Sequence, residues 1–156
     1  MSFTSDNDTD NYTTSKNSWI RLKEFIPKDK KIWSPFYCDG KQKEYFDDMG
    51  FDIIHEDEDF FQNNKGECVI DNPPFSKKRE VLERLKELEK PFMLILPSVM
   101  LGYKYVQEDF GEYLQIIIPK KRLDFIQLGK DKKYNPPFGS FIFCYKMNLP
   151  KDLIFI

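Results

Sequence analysis

A rigid turn at residues 72–75, Asn-Pro-Pro-Phe, constrains this 156-residue chain more than any other stretch. The apolar run 68–70 precedes it, and a run with helical spacing, 77–89, follows it. Each proline lacks an N–H donor and fixes its own φ, so neither a helix nor an inner strand continues through the pair. The pattern predicts a strand, a turn and a helix. Asn72 and Phe75 would then lie at the carboxyl edge of a sheet, where open α/β folds bind ligands.

The turn resembles motif IV, the Asn/Asp-Pro-Pro-aromatic signature of S-adenosylmethionine-dependent amino-methyltransferases. In that family the Asn side chain and the first proline carbonyl accept hydrogen bonds from an amino group, and the aromatic ring stacks on the planar group that carries it. Fixed acceptors suit this chemistry, because the lone pair of an exocyclic amine is delocalised until the nitrogen becomes tetrahedral. The resemblance implies a catalytic turn made of Asn72, Pro73, Pro74 and Phe75.

Length and composition favour one domain with a packed core, since 40% of the residues are hydrophobic and 16% are aromatic. Residues 1–17 are polar and predict a disordered tail, which leaves 18–156 as a single domain. No apolar run has the length of a membrane span, and no signal peptide is recognisable, so a cytoplasmic or nuclear protein is expected. Cys38, Cys68 and Cys144 have neither metal-site nor disulfide spacing and are interpreted as reduced thiols.

The first βα unit is predicted at 31–50, with a strand from Lys31, a turn at 34–40 and a helix that stops before Gly50. By itself this is an ordinary βα loop. It is also similar to a degenerate methyltransferase motif I, with Ser34 in the place of the acid and Cys38 in the place of a glycine. The resemblance implies an S-adenosylmethionine site that includes Pro35, Phe36, Asp39 and Gly40. A helix capped by Asn17-Ser18 and ended by Pro27 would pack on the sheet edge, or help to cover this cofactor.

The second strand is predicted at 51–57 and ends in acidic residues. Such an end is where a dinucleotide-type fold presents a carboxylate to ribose hydroxyls, with Asp57 preferred and Glu56 second. The resemblance adds Asp59 and Phe60 near the adenine, although a solvated acidic loop explains the same residues. His55 is interpreted as a packing or hydrogen-bonding residue.

The remaining pattern completes a trimmed sheet. About eight residues separate Phe60 from the strand at 69–70, where a full-size methyltransferase has a further helix, strand and helix. Beyond the turn, a helix at 77–90, a strand at 92–97 and a helix at 103–113 are predicted. A strand from 114, continuing past Pro119 to 126, would pair with 139–145 as an antiparallel hairpin. The expected fold is therefore a trimmed, Rossmann-like class I methyltransferase sheet, mostly parallel.

A second Asn-Pro-Pro-Phe, at 135–138, precedes a strand and is interpreted as a hairpin loop rather than an acceptor turn. Although the net charge is −2, basic residues cluster near this loop. They could line a phosphate path to the turn, or be a solvated basic face. The candidate substrate-binding residues are Lys77, Lys78, Lys120, Lys121 and Arg122.

The sequence thus predicts an S-adenosylmethionine-dependent methyltransferase acting on an exocyclic amine, first of all adenine N6 of DNA or RNA. Cytosine N4 and a glutamine amide are alternative acceptors. The changed motif I and the trimmed sheet favour a second hypothesis, a non-catalytic subunit or nucleic-acid-binding module that needs a protein partner or a second copy of the chain. No metal is expected.

Overall fold

The computed structural model describes residues 11–130 and 132–156. The strands are β1 (Tyr12–Thr14), β2 (Lys31–Trp33), β3 (Asp52–Ile54), β4 (Cys68–Asp71), β5 (Phe92–Pro97), β6 (Leu114–Ile118), β7 (Phe125–Gln127), β8 (Lys132–Tyr134), β9 (Ser140–Tyr145) and β10 (Leu153–Phe155). The α-helices are α1 (Lys16–Leu22), α2 (Lys41–Asp48), α3 (Lys78–Glu87) and α4 (Lys104–Phe110).

Seven strands form the central sheet, in the order β10-β6-β9-β5-β4-β2-β3. Six of them run in one direction, and β9 lies antiparallel between β5 and β6. The predicted α/β class, with a mostly parallel sheet and an antiparallel β6–β9 pair, is confirmed, and the sheet is compatible with a Rossmann-like fold.

Both faces of this sheet are covered. Along β5, Met93 and Ile95 face the cluster that contains Trp19 of α1 and Phe46 of α2. Phe92, Leu94 and Leu96 face the opposite cluster, with residues of α3 and α4. This two-sided burial explains why the β5 sequence is continuously apolar rather than alternating.

The strand order reverses beside β2, which pairs with β3 on one side and β4 on the other. The chain runs from β2 to β3 and then crosses back to β4, so the crevice outside the carboxyl ends of β2 and β4 is a topological switch point. Ligands of open α/β sheets bind at such points. The turns after β2 and β4 therefore meet where a site is expected.

The prediction of a tail over 1–17 is wrong for its last residues, while residues 1–10 lie outside the described part. Tyr12–Thr14 pairs with β7, and α1 begins at Lys16 with Ser15, rather than Asn17 or Ser18, as its N-cap. Tyr12 provides apolar contacts that the polar composition of residues 1–17 did not indicate. Its ring packs edge-on against Phe125 and stacks on Tyr134.

The predicted continuation of the strand past Pro119 is also wrong. Residues 125–127 leave the central sheet and form a separate antiparallel sheet, in the order β1-β7-β8. Pro119 lacks the N–H donor that a continued ladder would use. Beyond it, β10 completes the edge beside β6, and the Lys120 N–H donates to the Ile156 carbonyl.

None of the helices within 11–130 and 132–156 is both long enough and apolar enough to cross a bilayer. Cys68 and Cys144 are buried and form no disulfide, and no group of three or more metal-ligating side chains occurs in 11–130 or 132–156.

Candidate functional site

Asn72 directly follows β4 at the switch point and is half-buried. Its side-chain Nδ2 donates to the hydroxyl of Thr14 in β1, with 3.0 Å between Nδ2 and Oγ1. Phe75 begins a short 3-10 helix, Phe75–Lys77, that runs directly into α3. The prolines therefore end the strand and start the helix within a few residues, as the sequence predicts, and Asn72 lies at the carboxyl edge of the sheet.

Asp71, the last residue of β4, is hydrogen-bonded to both turns of the switch point. Its carboxylate is 2% exposed and accepts four hydrogen bonds. Oδ2 accepts from Ser34 Oγ and the Phe36 N–H, both at 2.8 Å, and Oδ1 accepts from the Asn72 N–H at 2.8 Å and from Gln42 Nε2 at 3.2 Å. Ser34, in the place of the motif I acid, thus serves as a donor to an acid from the neighbouring strand.

Burial raises the pKa of Asp71 to about 6, because a carboxylate loses its hydration inside the protein. A positive charge on His55 and hydrogen bonds from Phe36, Asn72 and Ser34 act in the opposite direction. Sequence reasoning did not identify Asp71 as a site residue. The available signal was an acid at the end of an apolar run, since a buried carboxylate requires donors nearby.

The second Asn-Pro-Pro-Phe lies beside the first. It precedes β9, as expected, but its Phe138 ring stacks on Phe75, with centroids 4.9 Å apart and planes 19° apart. Lys78 Nζ also lies over the Phe75 ring, 3.9 Å from its centroid. The Phe75–Phe138 pair was missed because the two phenylalanines are far apart in the sequence.

Arg122 holds the second motif in place. Its guanidinium donates to the carbonyl of Pro136 at 2.7 Å and to that of Phe138. The Ser98 N–H donates to the Gly139 carbonyl at 2.9 Å, which fixes the other end of the loop. Arg122, predicted to bind substrate, therefore stabilises the loop through two hydrogen bonds to its carbonyls. Of the other candidate substrate-binding residues, Lys78 lies over the Phe75 ring. The remaining three, Lys77, Lys120 and Lys121, are exposed.

The turn after β2 contains two left-handed residues, Cys38 with φ 51° and Gly40 with φ 78°. The hydroxyl of Tyr37 lies 2.5 Å from the position that a Cβ on Gly40 would occupy, and the positive φ of Gly40 favours glycine there. The Tyr37 ring also stacks on His55, with centroids 5.0 Å apart. Tyr37 therefore covers the face of Gly40 that the resemblance assigns to the cofactor.

His55 is 5% exposed, and its Nδ1 lies 2.8 Å from the Ser34 carbonyl. A carbonyl accepts, so Nδ1 carries the proton in the neutral ring and Nε2 is left as an acceptor. Within the described part of the chain, this buried Nε2 has no hydrogen-bond partner. An unsatisfied buried acceptor is uncommon in a folded protein, so this nitrogen marks a polar position beside the turn after β2.

The other candidate cofactor residues divide into two groups. Phe36 and Phe60 pack on each other in the core at 5.2 Å, next to the buried Pro35, and neither ring presents a free face. The acids lie at the surface after β3. Glu56 pairs with Lys65 at 3.1 Å, and Asp57 is exposed.

The two predicted aspartates Asp39 and Asp59 have local structural roles. Asp39 Oδ1 accepts from the Lys41 N–H at 3.1 Å at the start of α2, and Asp59 Oδ1 accepts from the Phe61 N–H at 2.9 Å. Asp39 stands beside Gly40 and is exposed, so it retains access to a ligand in that turn.

Comparisons with known proteins add no assignment: no family model, curated protein or solved structure matches the chain. The geometry alone describes the site. A switch point presents a hydrogen-bonding amide on a rigid turn, and the Phe75–Phe138 pair stands beside it. The exposed Glu56 and Asp57 and the buried His55 follow β3, the strand beside β2.

Proposed function

We propose that this protein is an S-adenosylmethionine-dependent N-methyltransferase that acts on an exocyclic amine, with adenine N6 of DNA or RNA as the first acceptor. The observation that carries the proposal is the position of the Asn72 turn. It stands at the switch point of a mostly parallel sheet, with an aromatic pair beside it. An amide acceptor next to stacked rings suits a flat group that bears an amine.

In the proposed reaction, Asn72 Oδ1 and the Pro73 carbonyl accept hydrogen bonds from the amine. These bonds strengthen as the nitrogen becomes tetrahedral, so they favour the transition state over the ground state. The base stacks on Phe75, which requires Phe138 or Lys78 to move away from its ring. A base within a duplex would first have to leave the stack.

The chain also offers residues that fit the cofactor. Gly40 and Asp39 lie in the turn after β2, and Glu56 and Asp57 lie after β3, where carboxylates accept from ribose hydroxyls. When bound, S-adenosylmethionine supplies an electrophilic methyl group. The chain's task is then to hold the amine in line with it, without a covalent intermediate.

One feature of the fold supports the resemblance, because β9 lies antiparallel between β5 and β6 near the end of the main sheet. No strand is inserted between β3 and β4, as the short interval predicts. This departure from a full-size methyltransferase removes one wall of the crevice.

A second function, a non-catalytic nucleobase-binding subunit, is favoured by one observation. Tyr37 covers Gly40 and stacks on His55, so the side of the crevice assigned to the cofactor is filled by the chain itself. In this alternative the Phe75–Phe138 pair binds a base, and a partner protein supplies the chemistry.

The decisive experiment measures transfer of a labelled methyl group from S-adenosylmethionine to mixed DNA and RNA. Asn72→Ala is expected to lower the rate on the order of a hundredfold, because it removes acceptors used most in the transition state. The matched control is Asn135→Ala, in the exposed second copy of the motif, which should keep the parent rate. Equal rates for Asn72→Ala and the parent would refute the catalytic assignment.

Calorimetry with S-adenosylhomocysteine separates the two functions. Binding at micromolar concentration supports the enzyme, and Asp57→Ala should weaken it at least about tenfold through the loss of hydrogen bonds to a charged acceptor. Asp52→Ala, at the start of β3 and five residues before Asp57, is the control and should bind like the parent. Absence of binding up to millimolar concentration would favour the subunit.

A further inference from the structure

The side-chain amide of Asn72 has two chemically opposite ends, and only one of them suits an amine. The substrate amine donates hydrogen bonds, so it needs the acceptor Oδ1. If Nδ2 faced the amine instead, two donors would oppose each other. The orientation of this amide therefore decides whether the turn attracts or repels the acceptor group.

Thr14 contacts the Nδ2 end of this amide. Its Oγ1 accepts the hydrogen bond from Asn72 Nδ2 at 3.0 Å. Thr14 is 2% exposed and Asn72 is half-buried, so the hydroxyl is shielded from water on the Thr14 side of the contact. With Nδ2 engaged by β1, Oδ1 is the end of the amide left for a ligand.

The backbone of Thr14 is held by the strand pairing of β1. β1 pairs antiparallel with β7, with Thr14 opposite Phe125. The next residue, Ser15, donates its N–H to the Asp124 carbonyl at 3.1 Å, and the Leu128 N–H donates to the Asn11 carbonyl at 3.0 Å. Hydrogen bonds at both ends of β1 leave Thr14 little freedom to move away from Asn72.

We propose that Thr14 is a positioning residue that fixes the Asn72 amide with Oδ1 towards the acceptor amine. The inference deepens the proposed function and rests on it. Thr14 touches no reacting atom. It acts through Asn72.

Hydrogen exchange of the Asn72 side chain tests the positioning without any need for activity. The resonance pair of its NH2 group is identified in the full chain by its absence from Asn72→Ala. We expect slow exchange in the parent and exchange at least about tenfold faster in Thr14→Val, which keeps the shape but not the hydroxyl. Thr14→Ser should retain the slow exchange, because it retains the acceptor.

The matched control is Thr13→Val. Thr13 is also buried and lies next to Thr14, but successive residues of a strand point to opposite faces. It should leave the Asn72 exchange unchanged. Equal exchange in Thr14→Val and the parent would overturn the proposal, as would Thr14→Ser that exchanges as fast as Thr14→Val. If Thr14→Val fails to fold, Thr14→Ala, which also lacks the hydroxyl, takes its place and should exchange at least about tenfold faster than Thr14→Ser.

Kinetics then connect the orientation to function. Thr14→Val should lower kcat about tenfold, restored by Thr14→Ser, with the affinity for S-adenosylhomocysteine unchanged. An unchanged kcat in Thr14→Val would overturn the proposal. A parent that transfers no methyl group would refute the proposed function instead, and the exchange experiment would still decide whether Thr14 orients the amide.

Discussion

The carboxylate of Asp71 lies within hydrogen-bonding distance of donors from both turns of the switch point: Ser34, Phe36, Gln42 and Asn72. Burial nevertheless raises its pKa from 3.8 to about 6. The folded protein therefore binds this proton more tightly than the unfolded chain. The contribution to stability is largest below pH 4 and is lost as the pH rises through 6.

Stability measured as a function of pH tests the direction of this effect. Relative to Asp71→Asn, which cannot titrate, the free energy of unfolding of the parent should fall between about pH 4 and pH 6 and then level off. The full change is about 3 kcal/mol at most, because each pKa unit corresponds to about 1.4 kcal/mol. Urea denaturation at half-unit intervals from pH 4 to 7 measures it.

Asp52→Asn, at an exposed carboxylate, is the control and should keep the slope of the parent. A difference that instead grows from pH 4 to 6 would mean that the four donors outweigh burial and lower the pKa of Asp71.

The sequence was enough to predict that Asn72 and Phe75 lie at the carboxyl edge of the sheet, because their positions depend on residues adjacent in the chain. Two prolines fix the backbone locally, and the strand and helix on either side are adjacent in the chain. Thr14 and Phe138 were not identified as partners, since they lie 58 and 63 residues away from the residues that they contact. Contacts of that range depend on the packing of whole elements, which local patterns do not encode.

Among the elements, α1 shows how a tertiary contact changes the residue that caps a helix. Ser18, one of the two residues predicted to cap the helix, is fully buried inside it. Its hydroxyl donates to the Asp124 carbonyl at 2.8 Å and accepts from the Asp124 N–H at 2.7 Å. Ser15 takes the capping role, accepting from the Ser18 N–H at 3.2 Å.

Removal of the cap should be measurable. Ser15→Ala is expected to lower the free energy of unfolding by about 1 kcal/mol, because the first turn of α1 loses the acceptor for one of its N–H groups. Guanidinium denaturation provides the measurement. Asn17→Ala, at the exposed alternative position, should cost clearly less, and a larger loss there would restore the cap predicted from the sequence.

The approach to the β7–β8 hairpin carries the lysines that bear on a nucleic-acid substrate. Each phosphate contact adds about 0.9 to the slope of log affinity against log salt. If Lys120 and Lys121 contact phosphates, their double replacement by Glu should reduce this slope by about 2. Fluorescence anisotropy of a labelled oligonucleotide, titrated at several salt concentrations, measures it.

The matched control replaces Lys28 and Lys30 by Glu. It changes the net charge equally, on the exposed loop that leads into β2 at the other edge of the sheet. The same slope in both double variants and in the parent would mean that the lysines before the hairpin are a solvated face.

For the molecule as a whole, the alternation of apolar runs and helical runs was enough to predict an α/β fold with a mostly parallel sheet. The short interval before β4 also predicted the absence of a strand there. Four short strands escaped prediction or were misplaced: β1, β7, β8 and β10, each of three residues. Their sequences are too brief for a periodicity, and their partners are distant in the chain, apart from the β7–β8 turn.

The place of β9 in the sheet has a consequence for biosynthesis. β5 and β6 are both translated before it, yet they are not neighbours, and only β9 joins them. A nascent chain that has emerged only as far as residue 139 holds β5 as an open edge, which other chains can pair with. Phe138 directly precedes β9, so Phe75 gains its stacking partner in the same step. A ribosome-bound chain therefore has its Asn-Pro-Pro-Phe turn long before it has a complete site, and chaperone protection would matter most in that interval.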